Sequence, residues 1–247
     1  MRISRVYFDG RLKTDADVLL PTETSHYLAK VLRLRIGDCV HLFNETDGEF
    51  LARITQIKKS AVELIAEKQI AEKQTADQTY PAIHLGLGLS RGDRMDFAIQ
   101  KSTELGVREI TPLYTEHGEV KLKADRVEKK LQHWRKIAIS ASEQCGRLDI
   151  PTINAPCILA DWLQSTAADF NILFDPSGQD KLPPKSDAAQ ISRLNLLIGP
   201  EGGFAEREIQ SAKDQDFTVV ALGARILRTE TAPIAALAIL QYLYGDM

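Results

Sequence analysis

Two segments near the C-terminus combine residue types that can bind a small molecule. The first, Leu196–Phe204, reads LLIGPEGGF, an apolar run that ends in glycines and one carboxylate, and a predicted helix opens after Ala205. Glycines permit positive φ and let a ligand approach the backbone closely. Because ligands of parallel α/β sheets bind beyond the carboxyl ends of the strands, we predict a ligand site here. A tight strand-to-helix turn is the structural alternative.

The second segment, Leu222–Ala232, reads LGARILRTETA and places a polar loop between a predicted strand and a predicted helix. Thr229 or Thr231 could cap that helix, and Glu230 would then lie near the positive end of the helix dipole. Capping does not explain the two arginines, Arg225 and Arg228. We therefore treat them as candidates for ligand binding.

A third motif, Gly88–Gly92, matches the G-x-S-x-G pattern of serine hydrolases and falls between a predicted strand and a predicted helix. In those enzymes an acid and then a histidine follow the serine, but no histidine follows His133. A hydrolase is therefore a remote alternative. The sequence contains no G-x-x-x-x-G-K-[ST] loop, and its five histidines lack metal-ligand spacing, so no metal is expected.

The composition is that of a folded globular protein. The 247 residues are 44% hydrophobic and 26% charged, which excludes disordered and collagen-like classes. Cys39, Cys145 and Cys157 form no Cys-x-x-Cys pair, so neither a disulfide framework nor a zinc ribbon is expected. The first residues lack the apolar run of a signal peptide, and no stretch is long enough to span a membrane. These features predict a cytoplasmic protein without a membrane partner.

Charge is unevenly distributed along the chain. The overall net charge is -3, yet residues 148–247 contain 7 Lys and Arg against 13 Asp and Glu, whereas residues 91–147 contain 12 against 9. Residues 1–70 contain 11 against 10. A polyanion should therefore prefer the first part of the chain, although excesses of this size also occur on solvated faces.

The pattern of apolar residues divides the chain into two domains. Residues 1–70 contain short β-rich runs separated by turn residues, which predict a small β-barrel interrupted by one helix over Thr22–Leu34. Residues 71–80 lie in a polar stretch and are predicted to be a linker. In residues 81–247, apolar strands alternate with amphipathic helices, which is typical of an α/β domain with a mostly parallel sheet. Its last helix, Ala232–Tyr244, is apolar nearly all round, which favours burial against more than its own sheet.

Five sequence blocks together resemble the ribosomal RNA small-subunit methyltransferase E family, in the SPOUT class of trefoil-knotted methyltransferases. The blocks follow the family's order and span nearly the whole chain. They are HYLAKVLRLRIGD from His26, KSTELGV from Lys101, SEQCGRLDIPTI from Ser142, and the two C-terminal motifs LLIGPEGGF and LGARILRTETA.

The resemblance implies a fold and a cofactor. The N-terminal barrel would be a PUA-like RNA-binding domain, and the C-terminal α/β domain would thread its last segments into a trefoil knot. In this class the knot binds S-adenosylmethionine. The residues that the resemblance assigns to cofactor binding are Phe174, Gly199, Glu201, Gly202, Leu222, Gly223, Ile226, Leu227 and Arg228.

The family's reaction is methylation of N3 of one uridine in the 16S ribosomal RNA of the small subunit. Because that nitrogen is protonated at neutral pH, the site must remove the proton or stabilise the developing anion. An arginine suits the second task, and we assign it to Arg228, with Arg147 as the alternative. Glu201 and Glu104 are the candidate proton acceptors, and water is a third possibility.

The resemblance also implies an RNA surface and a homodimer whose RNA site is composed from both chains. The alternative function is a noncatalytic RNA-binding assembly factor on the same fold. Glu116 and His117 have no assigned role. The family commonly has lysine at the position of Arg91. The candidate RNA-binding residues are Arg5, Arg33, Arg35, Arg91, Arg94, Gln144 and Arg147.

Overall fold

The computed structural model describes residues 3–72, 80–184 and 191–247. The chain divides into two compact units, of which the first comprises Met1–Ala76 and Ser142–Ile150 and the second comprises Asp77–Ala141 and Pro151–Met247. Most of the predicted linker, residues 73–79, lies outside the described residues.

The first unit contains a five-stranded sheet in the order β1-β3-β4-β5-β2. The β1–β3 pair is parallel and the other pairs are antiparallel. A helix and a π-helical turn replace the single predicted helix, and Arg33, with φ 56°, follows them in the left-handed region. The elements are β1 (Arg5–Tyr7), β2 (Ala16–Leu19), α1 (Thr22–His26), the π-helical turn (Tyr27–Val31), β3 (Cys39–Asn44), β4 (Gly48–Ile57) and β5 (Val62–Ala71).

Residues 142–150 belong to the first unit, although the sequence pattern predicts that they belong to the second domain. The physical reason is a set of hydrogen bonds to β1. The Arg5 guanidinium donates to the carbonyl oxygens of Ser142 (2.8 Å) and Arg147 (2.9 Å), and the Tyr7 backbone N–H donates to Glu143 Oε1 (3.0 Å). The sequence could not reveal these contacts because their partners lie more than a hundred positions apart.

The second unit is an α/β domain. Its sheet has the order β12-β10-β11-β6-β7-β8, with β9 also pairing with β7, and every pair is parallel. The elements are β6 (Ala82–Gly88), α2 (Gly92–Glu104), β7 (Glu109–Tyr114), α3 (Ala124–Cys145, whose residues 142–145 belong to the first unit), β8 (Thr152–Ile153), β9 (Cys157–Ile158), α4 (Leu159–Ser165), β10 (Phe170–Phe174), β11 (Arg193–Ile198), α5 (Glu206–Lys213), β12 (Phe217–Val220) and α6 (Ala232–Tyr244).

The central strands of this sheet are buried on both faces, which explains their continuous apolar sequences. Leu196 of β11 pairs in register with Leu85 of β6 and with Ile172 of β10, and all three side chains are fully buried. The prediction of a mostly parallel α/β sheet is therefore confirmed. The sequence missed β2, β8, β9 and α4, which are too short to show a clear periodicity.

The register of β10, β11 and β12 determines where the two C-terminal motifs meet. Phe174, the last residue of β10, pairs with Ile198 at the end of β11 and with Val220 at the end of β12. The loops that follow these three strands therefore leave the sheet at the same edge. None of the helices in the described part of the chain has the length and apolar character needed to cross a bilayer.

Candidate active site

A cavity of about 370 Å³ lies at the carboxyl edge of β10, β11 and β12. Its volume is within the range of small-molecule pockets. Both C-terminal motifs contribute to its wall, as the strand register requires. The lining residues are Arg94, Phe174, Asp175, Pro176, Ile198, Gly199, Pro200, Glu201, Gly203, Phe204, Leu222, Gly223, Arg225, Ile226, Leu227, Arg228, Thr229 and Ala232.

All but one of the predicted cofactor residues lie on this wall. The exception is Gly202, which packs against the loop after β7. A Cβ atom at Gly202 would lie 2.8 Å from His117 Cβ and 3.0 Å from the His117 carbonyl oxygen. Close packing against His117 therefore accounts for the glycine. Phe174, only 6% exposed, is both a core residue and a wall residue.

Several wall residues were not predicted to bind the cofactor. Asp175 and Pro176 directly follow β10, so their position after a buried strand was a usable signal. Arg94 was assigned to RNA contact, yet it lines the cavity from α2, because the start of that helix follows β6 at the same sheet edge.

One hydrogen bond joins the two motifs. Thr229 is buried, and its hydroxyl donates to the carbonyl oxygen of Gly199 at 3.0 Å. Thr231 occupies the N-cap position of α6 but forms no side-chain capping bond. Side-chain capping therefore does not explain these threonines. The hydroxyl of Thr229 instead links the second motif to the first by a hydrogen bond.

The charged groups of the cavity centre on Arg94. Its Nη1 donates to Glu201 Oε1 at 2.9 Å, and its Nε lies 4.0 Å from Glu230 Oε2. Arg228 is exposed on the wall of the same cavity. The guanidinium groups of Arg94 and Arg228 and the carboxylate of Glu201 therefore line the same cavity. Such groups can stabilise charge that develops on a bound substrate.

Glu104 lies apart from this cluster. It pairs with Lys101 Nζ at 2.7 Å and ends α2, ten residues after Arg94 or about 15 Å along the helix axis. Of the two carboxylates that the sequence left open as proton acceptors, the structure brings only Glu201 to the cavity.

Two of the predicted RNA-binding arginines of the first unit have intramolecular partners. Arg5 pairs with Glu49 at 2.9 Å in addition to its bonds with the 142–150 segment, and its side chain is 11% exposed. Arg147 pairs with Asp149 through Nε (3.1 Å) and Nη2 (2.7 Å). A phosphate would have to displace these partners to reach either guanidinium.

The remaining predicted RNA-binding residues outside the cavity are exposed: Arg33, Arg35, Arg91 and Gln144. Arg91 forms an ion pair with Glu119. Exposed basic side chains can neutralise phosphates without breaking a buried contact.

The hydrolase alternative is not supported by the geometry of Ser90. A nucleophilic serine must face the substrate and a base. Ser90 is 5% exposed, and its hydroxyl donates to Met95 Sδ at 3.9 Å. Within the described ranges, no group of three or more His, Cys, Asp or Glu side chains could hold a metal ion.

Comparison with known proteins decides the family. Residues 77–241 match the model of an RNA methyltransferase domain, and residues 20–67 match that of an RNA methyltransferase PUA domain. The ribosomal RNA small subunit methyltransferase E of Buchnera aphidicola subsp. Schizaphis graminum is 39% identical over 251 residues, which cover 100% of this chain and 98% of the relative. This chain belongs to the ribosomal RNA small subunit methyltransferase E family.

Solved structures agree with the family assignment. A ribosomal RNA small subunit methyltransferase E from Neisseria gonorrhoeae, bound to S-adenosylmethionine, has a TM-score of 0.85 and 34% identity, with 100% of each chain covered. A methyltransferase from Legionella pneumophila, in complex with the same cofactor, has a TM-score of 0.91 and 35% identity, with 98% of each chain covered. The predicted family and the N-terminal PUA domain are thus confirmed.

Proposed function

We propose that this chain transfers the methyl group of S-adenosylmethionine to N3 of a uridine in the 16S ribosomal RNA of the small subunit. The observation that carries the proposal is the cavity in which both C-terminal motifs meet, with Arg94, Glu201 and Arg228 around one volume. Family membership supports the same reaction. We place this activity in the cytoplasm, where a bacterial small subunit would be its substrate.

The residues of the cavity fit the cofactor. Phe174, Leu222 and Ile226 offer apolar surface for the adenosine, and the backbone of Gly199 permits close approach. The Glu201 carboxylate offers a partner for the cofactor's positive charge. When bound, S-adenosylmethionine supplies an electrophilic methyl group.

Arg228 and Glu201 would together promote the loss of the N3 proton of the uridine. A guanidinium stays charged and offers a fork of donors, so Arg228 can stabilise the carbonyl oxygens that become more negative as N3 loses its proton. Each unit by which such contacts lower the pKa of N3 corresponds to about 1.4 kcal/mol. Glu201 accepts the proton in this scheme.

Each unit would contribute its own RNA contacts. In the PUA domain the exposed Arg33 and Arg35 are the proposed contacts, and in the methyltransferase domain they are Arg91 and Arg94. Gln144 and Arg147 remain proposed contacts in the 142–150 segment. Arg5 would contribute only after its buried partners had been displaced.

A homodimer fits the exposed apolar residues of the second unit. Tyr242 is 70% exposed, Phe97 44% and Ile239 39%, and they belong to α2 and α6, which pack on each other. Exposed apolar side chains on two neighbouring helices offer surface that a second copy could cover. By resemblance, we also propose that the chain after β11 is threaded as a trefoil knot.

The test is transfer of labelled methyl from S-adenosylmethionine to small subunits that lack the modification, with nucleoside analysis to locate the label. We expect label on uridine N3 with the wild type and strongly reduced label with Arg228→Ala. Arg193→Ala is the matched control, because Arg193 is exposed at the opposite end of β11.

The outcomes separate the candidate functions. Label on another atom or on another RNA would refute the proposed substrate. A wild-type protein that binds RNA and cofactor but transfers no methyl group would instead establish the noncatalytic assembly factor.

A further inference from the structure

Helix α3 presents a row of cations on one side of its first half. Arg126, Lys129, Lys130 and Lys136 follow one another at spacings that place side chains on the same side of a helix, and we call them the basic stripe of α3. Three of them are exposed, and Lys130 is half-buried. Residues 121–136 contain 7 Lys and Arg against 2 Asp and Glu. This is a concentrated positive charge in a chain whose net charge is -3.

The chain itself does not compensate this charge. Like charges three and four residues apart destabilise a helix, as in the pairs that Arg126 forms with Lys129 and Lys130. Arg126 also lies in the first turn, where the helix dipole disfavours cations. Glu128 Oε1 accepts a hydrogen bond from Gln132 Nε2 at 3.0 Å. Among the described residues, no carboxylate pairs with Arg126, Lys129 or Lys130, so an external anion would relieve their repulsion.

One ion pair places the basic stripe beside the cavity. His133 Nε2 lies 2.7 Å from Asp96 Oδ2, so the middle of the stripe packs against the first half of α2. Asp96 follows Arg94, which lines the cavity, by two residues. Lys129 and Lys136 lie about one helical turn on either side of His133. A polymer that enters the cavity at one unit therefore has its neighbouring units within reach of the stripe.

The character of the exposed surface of α3 indicates the partner. A helix that binds a membrane surface needs large apolar side chains to insert between the lipids. None of the large apolar residues that are exposed in the described part of the chain lies on α3. Phosphates of a nucleic acid, by contrast, require only cations that can replace their counterions. The surface therefore fits an RNA backbone.

We propose that the basic stripe of α3 binds the backbone phosphates that flank the target uridine and thereby positions the RNA over the cavity. The inference rests on the proposed function, which supplies the RNA partner. It adds a surface that the sequence analysis did not include, because none of the predicted RNA-binding residues lies within residues 121–136. Phosphate contacts fix the orientation of a nucleic acid without reading its bases, so the stripe contributes affinity and register.

The test is the stripe variant Arg126→Gln/Lys129→Gln, measured for binding to small ribosomal subunits that lack the modification. Glutamine is a good helix former, so the change removes two charges and keeps the helix. Each phosphate contact contributes about 0.7 to 0.9 to the slope of log affinity against log salt, so we expect the slope to become shallower by about 1.4 to 1.8. At roughly 0.1 M salt the affinity should fall about tenfold or more.

Methyl transfer gives a second readout. Because the stripe contacts RNA away from the reacting atoms, KM for the subunits should rise by a similar factor, whereas kcat and the Kd for S-adenosylmethionine should change less than about twofold. The exchange variant Arg126→Lys/Lys129→Arg keeps both charges. It should retain most of the wild-type affinity, because counterion release depends on charge.

The matched control is Arg193→Gln/Lys213→Gln, which also removes one arginine and one lysine. Both residues are exposed, Arg193 at the start of β11 and Lys213 at the end of α5. These positions lie at the sheet edge opposite the cavity, since β11 begins there and α5 returns the chain to the start of β12. The control should keep the wild-type salt slope and KM.

Three results would overturn the inference: an unchanged salt slope and KM in the stripe variant, equal losses in the control, or no recovery in the exchange variant. Wild-type binding to anionic lipid vesicles that the stripe variant loses, with unchanged affinity for subunits, would assign the stripe to a membrane instead. If the wild type transfers no methyl group but binds subunits with a salt slope that the stripe variant reduces, the proposed function fails and this inference stands.

Discussion

His117 Nδ1 lies 3.1 Å from the carbonyl oxygen of Gly202, so the loop after β7 is bonded to the glycine loop that forms the cavity wall. The neighbouring Glu116 strengthens this connection. Its backbone N–H donates to Glu208 Oε1 at 2.8 Å, and its carboxylate pairs with Arg207 at 2.6 Å. His117 therefore contacts the glycine loop, and Glu116 contacts α5, the helix that follows that loop.

Gly202→Ala should disturb this packing. The added Cβ would lie 2.8 Å from His117 Cβ, so one of the two loops must shift. We expect a loss of stability of about 1–3 kcal/mol, as overpacking typically costs, together with weaker binding of S-adenosylmethionine. Thermal unfolding and calorimetric titration would measure the two effects. A variant with wild-type stability and affinity would show that the contact is dispensable.

Thr229→Val should weaken the connection between the two motifs. The substitution keeps the shape of the side chain but removes the donor to the Gly199 carbonyl oxygen. Because that oxygen loses a buried partner, we expect a cost of about 1–3 kcal/mol, divided between stability and cofactor affinity. Thr231→Val is the matched control, since Thr231 is exposed and forms no side-chain cap. Equal effects of the two substitutions would contradict the assignment.

His84 should make the second unit less stable at acidic pH. Burial in β6 lowers the pKa of His84 below its ordinary value, so the folded chain holds it neutral. Trp162 Nε1 donates to its Nε2 at 3.2 Å, which requires the neutral ring. The unfolded chain protonates this histidine near its ordinary pKa of about 6.5, so the contribution is complete above that pH and is lost as pH falls below it.

Denaturant unfolding at pH 7.5 and pH 5.5 would measure this effect. We expect the loss of unfolding free energy at pH 5.5 to be smaller in His84→Gln than in the wild type. His26→Gln, at an exposed position of α1, should retain the wild-type pH dependence. If His84→Gln retained it as well, the lowered pKa of His84 would not be its source.

Arg5→Met should destabilise the first unit strongly. The substitution leaves Glu49, whose side chain is 11% exposed, without its guanidinium partner and removes the donor to three carbonyl oxygens of residues 142–150. Breaking a buried pair costs about 3–5 kcal/mol. By comparison, Arg11→Met breaks an ion pair with Asp47 in which the arginine is 83% exposed, so we expect less than about 1 kcal/mol. Chemical denaturation of the two variants would compare these losses.

The sequence was most informative where local pattern and position coincide. The apolar run that ends at Ile198 predicted a buried strand, and the glycines after it predicted a ligand-approach loop. For the second motif, the sequence likewise predicted a strand leading into a loop after Leu222 whose arginines are candidates for ligand binding. Most of the predicted cofactor residues share one cavity because parallel strands place their carboxyl ends at one edge.

Local pattern was insufficient where a residue's role depends on a distant partner. Glu104 and Glu201 were equivalent candidates in the sequence, and only the length of α2 separates Glu104 from the cavity. Arg5 was predicted to bind RNA, yet the structure gives its guanidinium Glu49 and the end of α3 as partners.

The sequence by itself determined the family, the parallel α/β sheet and the two motifs of the cavity, because these follow from residue order and short-range periodicity. Only the tertiary structure decided the pairing of Arg94 with Glu201 and its proximity to Glu230. Those contacts join residues of different elements, and their energies depend on distance and burial, which residue order does not specify.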